Sequence, residues 1–386
     1  MHAMQGIDFL RLDRHLTDEE RLVRDTAARF VDERIMPGIR DNFRRIEFPI
    51  GLVREMGELG FLGANLQGYG CAEVSNVAYG LIMQELERGD SGIRSFASVQ
   101  GGLVMYPIHT FGSDEQKDRW LPLLARGEAI GCFGLTDRNG GSNPGGMLTC
   151  AVRDGEAFVL NGEKHFITNG GIADVAVVWA KCDGDYRGFL VERGTPGFTT
   201  RDAHEEKWCM RASVTSELSF ADCRIPAANA LPGAVGLKSA YQCLTQARYG
   251  IGWGVIGAAV DCYRSALAYV EERDLARHQL IQKRLAIMLE KISLSQLLAL
   301  QVGQLKDAQL ARFTHVSMLK FNNVEAALAV ATDARDMTGA TGTRDDTYPI
   351  IRHLLNLMAV STYEGTHDMH ALILGHDITK VQAYGN

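Results

Sequence analysis

The sequence predicts a mainly α-helical protein built around a small central β domain, and three observations carry that expectation. Eight of the nine prolines lie at or before Pro232, so the 116 residues from Gly233 to Tyr348 contain none. An internal proline costs a helix about 3 kcal/mol, and a proline-free tract of that length suits long uninterrupted helices. Between Ile130 and Pro232 the apolar residues fall into short runs of strand type, whereas on both sides they recur at helical spacing. The expected divisions are a helical domain over 1–129, a β domain over 130–234 and a helical bundle domain over 235–386.

Each element has a local reason. Thr17 with Glu20 forms a capping-box pattern, and Leu22, Val23, Ala27, Phe30 and Val31 follow on one helical face, which Pro37 is expected to end. Ser113 with Gln116 repeats the start signal before Trp120 and Leu121. Residues 157–160, then Asn161-Gly162, then 163–168 predict a hairpin, because Asn-Gly supplies the positive φ angles of a tight turn. Runs at 176–179, 188–191 and 217–220 predict further strands separated by Asp/Gly turns. Beyond Pro232, Ile281, Leu285, Met288 and Ile292 step by four, three and four, as an amphipathic helix requires.

Composition excludes several function classes. With 386 residues, 46% of them hydrophobic, the chain is long enough to bury a core without staples. A formal charge of -7 without a basic cluster argues against a nucleic-acid partner. The apolar stretch 251–260 is far short of the roughly 20 residues that span a bilayer, and the first residues carry no leader pattern, so a cytoplasmic protein with no membrane partner is expected. The eight cysteines never approach closer than 14 residues, which removes CxxC pairs and points to free thiols in a reducing compartment.

Two motifs are set aside. Gly252-Trp-Gly254-Val-Ile-Gly257 fits a dinucleotide-binding pattern, but it falls inside 248–269, which is helical in character and has no preceding strand; close helix packing is the better account. His367, His370 and His376 lack a third ligand at a recognisable spacing, so they are expected to be solvated or capping residues and no metal site is expected.

Three segments carry chemistry. Residues 132–143 open the β domain with glycines, the Thr136 hydroxyl and backbone N–H groups suited to a planar heterocycle, although an ordinary loop has the same features. Phe166-Ile167-Thr168-Asn169 offers an aromatic cover and a hydroxyl, and also reads as a plain strand. In Ser361–Asp368, Glu364 followed by Gly365 at a helix boundary can aim a desolvated carboxylate into a cleft as a general base, or serve as a capping residue.

In order, Gly68-Tyr-Gly-Cys-Ala-Glu-Val, Asp90-Ser-Gly-Ile-Arg94-Ser95, Gly131-Cys-Phe-Gly-Leu-Thr136, Ala247-Arg-Tyr-Gly-Ile, Ala334-Arg-Asp-Met and Thr362-Tyr-Glu-Gly-Thr-His-Asp make the chain resemble the acyl-CoA dehydrogenases over nearly its whole length, and most closely the glutaryl-CoA dehydrogenases. The resemblance implies an N-terminal helical domain, a barrel-like β domain and a C-terminal four-helix bundle, assembled as a homotetramer with FAD between the β domain and the C-terminal helices. It implies FAD contacts at Cys132, Phe133, Leu135, Thr136, Gly141, Phe166, Ile167, Thr168 and Thr366. Further contacts, reaching the FAD from the C-terminal domain, are implied at Arg273, Gln279, Thr338, Gly339, Gly342 and Tyr384. Glu364 matches the catalytic base. Ser142, Tyr241, Thr245, Arg248, Tyr363 and Gly365 match positions that meet the acyl-CoA substrate. Arg94 and Ser95, with Glu87 close by, match residues that receive a distal carboxylate; an internal Arg94–Glu87 ion pair is the other reading. An electron-transfer flavoprotein is the implied acceptor.

The chain also departs from that pattern. Only Glu272–Gln279 stands where a longer Arg…Phe-Gly…Gln segment clasps the neighbouring subunit's FAD, Asp137-Arg138 replaces Glu-Pro, and Asn143 replaces Asp. Two functions follow: oxidation, with decarboxylation, of glutaryl-CoA or a similar dicarboxylyl-CoA; or a relative with weak FAD binding that acts on CoA thioesters without redox chemistry.

Overall fold

The computed structural model describes residues 7–202 and 207–383, so Tyr384, an expected cofactor contact, lies outside the described residues. The first helix, α1 (Asp18–Phe30), starts at a complete capping box in which Thr17 Oγ1 accepts from the Glu20 N–H and Glu20 Oε2 from the Thr17 N–H. Pro37 does not stop it. A π-helical turn, Val31–Ile35, leads into α2 (Met36–Arg45), where Pro37 occupies the first turn and its missing N–H leaves no bond unmade. Next come α3 (Leu52–Glu58), α4 (Asn76–Gly89), α5 (Ser91–Ser98), a second π turn (Val99–Met105), α6 (Tyr106–Phe111) and α7 (Asp114–Ala125), the last with the expected Ser113/Gln116 capping box.

The middle of the chain forms a sheet from β1 (Gly131–Gly134), β2 (Cys150–Asp154), β3 (Ala157–Thr168), β4 (Val175–Cys182), β5 (Asp185–Glu192), β6 (Phe198–Asp202), β7 (Thr215–Pro226) and β8 (Ala230–Val235). Its order is β6-β7-β3-β2-β4-β5-β8, with β1 parallel to β4. The expected hairpin at Asn161-Gly162 is not formed: β3 runs straight through, and the true turn is Gly155-Glu156 between β2 and β3. Asn161 and Gly162 instead face a bulge in β7, where the Asn161 side chain pairs with Asp222 in both directions. Gly162 is required by contact, since a Cβ there would meet Thr149 Cα at 2.6 Å. Alternate residues divide between two cores: Cys132, Ala176 and Val178 fill a core on the sheet's own side, while Phe133, Val177 and Trp179 join the helical core.

The C-terminal block holds α8 (Gly236–Glu272), α9 (Gln279–Asp307), α10 (Phe313–Met337), α11 (Ile350–Val360) and α12 (His367–Thr379). By length and composition α9 would cross a bilayer, yet Met288, Ile292, Ala299, Leu300 and Val302 are buried as in the core helix of a bundle. The three glycines of the discarded dinucleotide motif lie in mid-α8 and explain themselves by proximity. A Cβ on Gly252 would stand 2.5 Å from Leu319 of α10, one on Gly257 1.9 Å from the Gln84 carbonyl of α4, and one on Gly254 2.1 Å from Glu87 Oε2. Their absent side chains let α8 settle onto α4 and α10 and make room for a buried carboxylate.

A buried polar junction fixes the three regions together. Asp90 accepts from the Gly92 N–H, from Arg352 Nη1 at 2.6 Å and from Asn356 Nδ2 at 2.9 Å, while Asn356 Oδ1 accepts from the Met210 N–H at 2.7 Å. Helix α11 is thereby tied to both the N-terminal helices and the β domain.

Candidate active site

The loop between α11 and α12 carries Tyr363, Glu364 and Gly365. Glu364 adopts φ 52° and Gly365 φ 95°, a left-handed pair that reverses the chain before Thr366 caps α12 by accepting from the Met369 N–H. For a glutamate that backbone is strained by roughly 1–2 kcal/mol, and such strain persists only where surrounding contacts impose it. Here they do. Lys320 Nζ on α10 donates to the Tyr363 carbonyl at 2.5 Å and the Gly365 carbonyl at 2.7 Å, and Arg248 Nε on α8 donates to the Glu364 carbonyl at 2.7 Å. Gly365 is needed because a Cβ there would stand 3.1 Å from His370 Nε2 and 3.2 Å from Arg248 Nη2. Glu364 Oε2 is enclosed with no hydrogen-bond partner among the described residues. Burial raises the carboxyl's pKa, opposed by the positive charges of Lys320, Arg94 and Arg248. A desolvated carboxylate so placed can take a proton from a weak carbon acid.

Joined to that loop through Tyr363, Arg94 on α5 and Glu87 on α4 are both completely buried. Arg94 Nε donates to Glu87 Oε2 at 2.6 Å and Nη2 to the Tyr363 hydroxyl at 2.6 Å. The internal ion pair therefore forms, but it does not exhaust the guanidinium: Arg94 Nη1, Glu87 Oε1 and Ser91 Oγ have no partner among the described residues. Ser95 is buried beside them. Burial opposes the charge on Arg94, yet Glu87 and Tyr363 outweigh it and raise the guanidinium pKa; burial likewise raises the Tyr363 phenol. Unpaired buried donors are costly, and they mark where a ligand group would be accepted.

The β domain carries the residues expected to face a flavin. Phe166 stands 82% exposed at φ 55°, a left-handed position that turns its ring off the end of β3. A planar ring laid against it would cover that apolar area, so the residues fit a flavin. Thr136 and Thr168 are half-buried, and Gly141 and Ser142 are exposed on the loop before β2. Cys132, Phe133, Leu135 and Ile167 turn their side chains into the cores, leaving only backbone groups for a cofactor. The loop is not slackened by Asp137: it accepts from the Leu148 N–H, the Thr149 N–H and the Thr149 hydroxyl, and from Lys164 Nζ at 2.6 Å. Burial pushes the Lys164 ammonium down to about 8, with Asp137 holding it up.

Tyr241, an expected substrate contact, is 41% exposed near the start of α8 and accepts, through its carbonyl, from the Thr245 hydroxyl. A small, mostly closed pocket nearby is lined by Asn65, Leu66, Tyr79, Gly101, Gly102, Tyr106 and Gln246. Arg273 and Gln279 are exposed at the α8–α9 turn, Arg273 lying 4.4 Å over the Tyr269 ring. Gly339 is exposed, whereas the Thr338 hydroxyl is spent on the Ala334 carbonyl at 2.8 Å. Gly342 is buried against that hydroxyl, since a Cβ there would approach it to 2.1 Å. The structure thus gathers Glu87, Arg94, Arg248, Tyr363, Glu364 and Gly365 in one place, and sets residues 273–279 and 338–342 on other surfaces of the chain.

Two site residues went unread in the sequence. Lys320 is 2% exposed, and its only signal is a single charge in the apolar run Met318-Leu-Lys-Phe321. His370, expected to be solvated or capping, is 1% exposed beneath Gly365, with its pKa pushed down to about 2 by burial and the neighbouring Lys320 and Arg248 charges. It stays neutral because a third cation cannot be accommodated there.

Comparison with known proteins agrees with this architecture. The acyl-CoA dehydrogenase N-terminal, middle and C-terminal domain models match residues 17–128, 132–223 and 234–379. A glutaryl-CoA dehydrogenase from Mycobacterium smegmatis, solved in complex with FADH2, is 46% identical over 100% of both chains with a TM-score of 0.96. The rat mitochondrial short-chain specific acyl-CoA dehydrogenase is 33% identical over 97% of this chain and 95% of its own. The butyryl-CoA dehydrogenase of Megasphaera elsdenii is 30% identical, covering 94% of this chain and 98% of that one, with a TM-score of 0.89. The chain belongs to the acyl-CoA dehydrogenase family, and among these three it is most similar to the glutaryl-CoA dehydrogenase.

Asp137→Ala removes the one acid that pairs with the buried Lys164 ammonium among the described residues, and three further hydrogen bonds of the 132–149 loop. Leaving a buried charge unpaired costs roughly 3–5 kcal/mol. Urea denaturation is expected to show a loss of that order, and FAD titration a weakened cofactor; Asp137→Leu combined with Lys164→Met is expected to recover much of the stability.

Proposed function

We propose that the protein oxidises glutaryl-CoA, or a dicarboxylyl-CoA of similar length, and releases the distal carboxyl group as CO₂. The observation that carries this reading is the buried Arg94 guanidinium: Glu87 and Tyr363 engage its Nε and Nη2, while Nη1 has no partner among the described residues. A ligand carboxylate would meet that idle donor, whereas a purely aliphatic acyl end would leave it buried and unpaired.

FAD is the cofactor, as the family and the FADH2 complex of the M. smegmatis relative support. When bound it accepts the hydride from C3 of the thioester. The chain's own residues supply the remainder. Glu364 takes the proton from C2 while its backbone N–H would hydrogen-bond the thioester oxygen, stabilising the developing enolate. Arg94 holds the distal carboxylate during that step. Loss of CO₂ then places the electron pair of the broken bond in the extended enone, and Glu364 returns its proton to C4, giving crotonyl-CoA. The raised pKa of Glu364 suits both tasks, because a carboxylate more basic than usual takes a proton more readily and can then return it.

The same proposal places Ser142, Tyr241 and Thr245 along the CoA portion and a neighbouring copy of the chain against Arg273 and Gln279. A homotetramer that passes electrons to an electron-transfer flavoprotein belongs to this reading, as does a cytoplasmic location, which the eight free thiols support.

Glu364→Gln is expected to abolish bleaching of the flavin by substrate, lowering its rate by ~10²–10⁴, while CoA-ester binding persists. Retained bleaching would reassign the base. Arg94→Met is expected to cost glutaryl-CoA turnover ~10–100-fold more than butyryl-CoA turnover, the worth of a charge-assisted hydrogen bond. Equal losses for the two substrates would remove the carboxylate role.

A further inference from the structure

We propose that Lys320 is a positioning residue for the base, its buried ammonium fixing the backbone of the Glu364 loop and standing as a positive charge beside it. The inference rests on the reading of Glu364 as the base.

Lys320 lies on α10 among buried neighbours, between Leu319 at 0% and Asn323 at 1% exposure. A buried ammonium is retained only where acceptors replace its water. Its acceptors are the carbonyls of Tyr363 and Gly365, the two residues that flank Glu364, and its Nζ lies 5.7 Å from the centre of the Tyr363 ring. With Arg248 on the Glu364 carbonyl, three consecutive carbonyls of the loop are held by two cations on two different helices. Such a clamp accounts for the left-handed Glu364 backbone, which nothing within the loop itself would impose.

The same charge acts on the carboxylate. The groups acting on Glu364 or Lys320 are Arg94 from α5, Arg248 from α8, Lys320 from α10 and Glu364 itself. Tyr363 from the loop, Tyr79 from α4 and His370 from α12 are coupled to the pair, and Glu87 from α4 is engaged by Arg94 and coupled to Tyr363. Burial presses the carboxyl towards its neutral form and pushes the lysine ammonium down to about 7, and the opposite charge of each offsets part of that pressure on the other. Since the base works only when deprotonated, activity falls as pH drops through the Glu364 pKa. Removing the lysine charge raises that pKa and carries the acidic limb to higher pH.

The test is the pH dependence of single-turnover flavin bleaching by glutaryl-CoA in the FAD-loaded protein, with wild type, Lys320→Met, Lys320→Gln and Lys320→Arg. In the Met and Gln variants the acidic limb is expected to move up by ~1 pH unit and the maximal rate to fall ~10-fold or more, the scale of one neighbouring charge and a displaced base. Lys320→Arg, which keeps the charge, is expected to keep the limb near that of wild type. Binding of a non-oxidisable glutaryl-CoA thioether, measured calorimetrically, is expected to change less than ~3-fold, because Lys320 bonds the loop and not the ligand. Should the Met variant not fold, the Gln variant, which retains an N–H donor, carries the same expectation. An unmoved limb in a folded charge-free variant overturns the proposal. Bleaching retained by Glu364→Gln would instead overturn the base assignment, which keeps the two failures apart.

Discussion

Everything chemical in this protein depends on burying charge in one cleft and keeping it there. Arg94 and Glu87 meet at 2.6 Å with no exposure to solvent, and Glu364 lies a short chain away under Arg248 and Lys320. Such a cluster is expensive to desolvate, and each member is tolerable only because another offsets it. The surrounding fold serves that requirement. Gly254 of α8 leaves space for the Glu87 carboxylate, the Asp90 junction pins α11 behind the loop, and the left-handed turn at Glu364 directs a carboxylate where a continued helix could not.

On the proposed reading the cluster links recognition to catalysis. The Tyr363 hydroxyl accepts from Arg94 and its carbonyl from Lys320, so the residue beside the proposed base touches both the cation proposed to meet the substrate and the loop clamp. A ligand carboxylate on Arg94 would therefore be felt at Glu364 through one shared residue. The β domain contributes separately: the exposed Phe166 ring and the loop braced by Asp137 and Lys164 form a platform whose stability does not draw on the buried cluster.

Much of this could be read from residues alone, and the gaps have physical causes. Capping boxes at Thr17 and Ser113 were legible because they are local, with donor and acceptor three residues apart. The rejection of the dinucleotide motif was sound for a similar reason: helical periodicity around Gly252–Gly257 left no strand to precede it. Asn161-Gly162 misled because a glycine forced by Thr149 across the sheet looks the same in sequence as one needed for a turn. Pro37 misled because proline ends one helix and begins another equally well. Glu364 is ambiguous by itself, and only the ordered motifs around it distinguish a base from a cap. Lys320 was not legible and His370 was misread because their roles are set by segments distant in sequence, as the Lys320 bonds to residues 363 and 365, at separations of 43 and 45, illustrate.

The most direct test of the account is anaerobic mixing of the FAD-loaded protein with glutaryl-CoA carrying deuterium at C2, followed through the oxidised-flavin absorbance. If a buried Glu364 removes that hydrogen as hydride leaves C3, the absorbance is lost in a single turnover and deuteration slows its loss several-fold, on the order of a primary isotope effect that lowers the transition-state rate. An oxidised flavin that survives glutaryl-CoA, or one that bleaches at the same rate with hydrogen or deuterium at C2, would contradict the assignment.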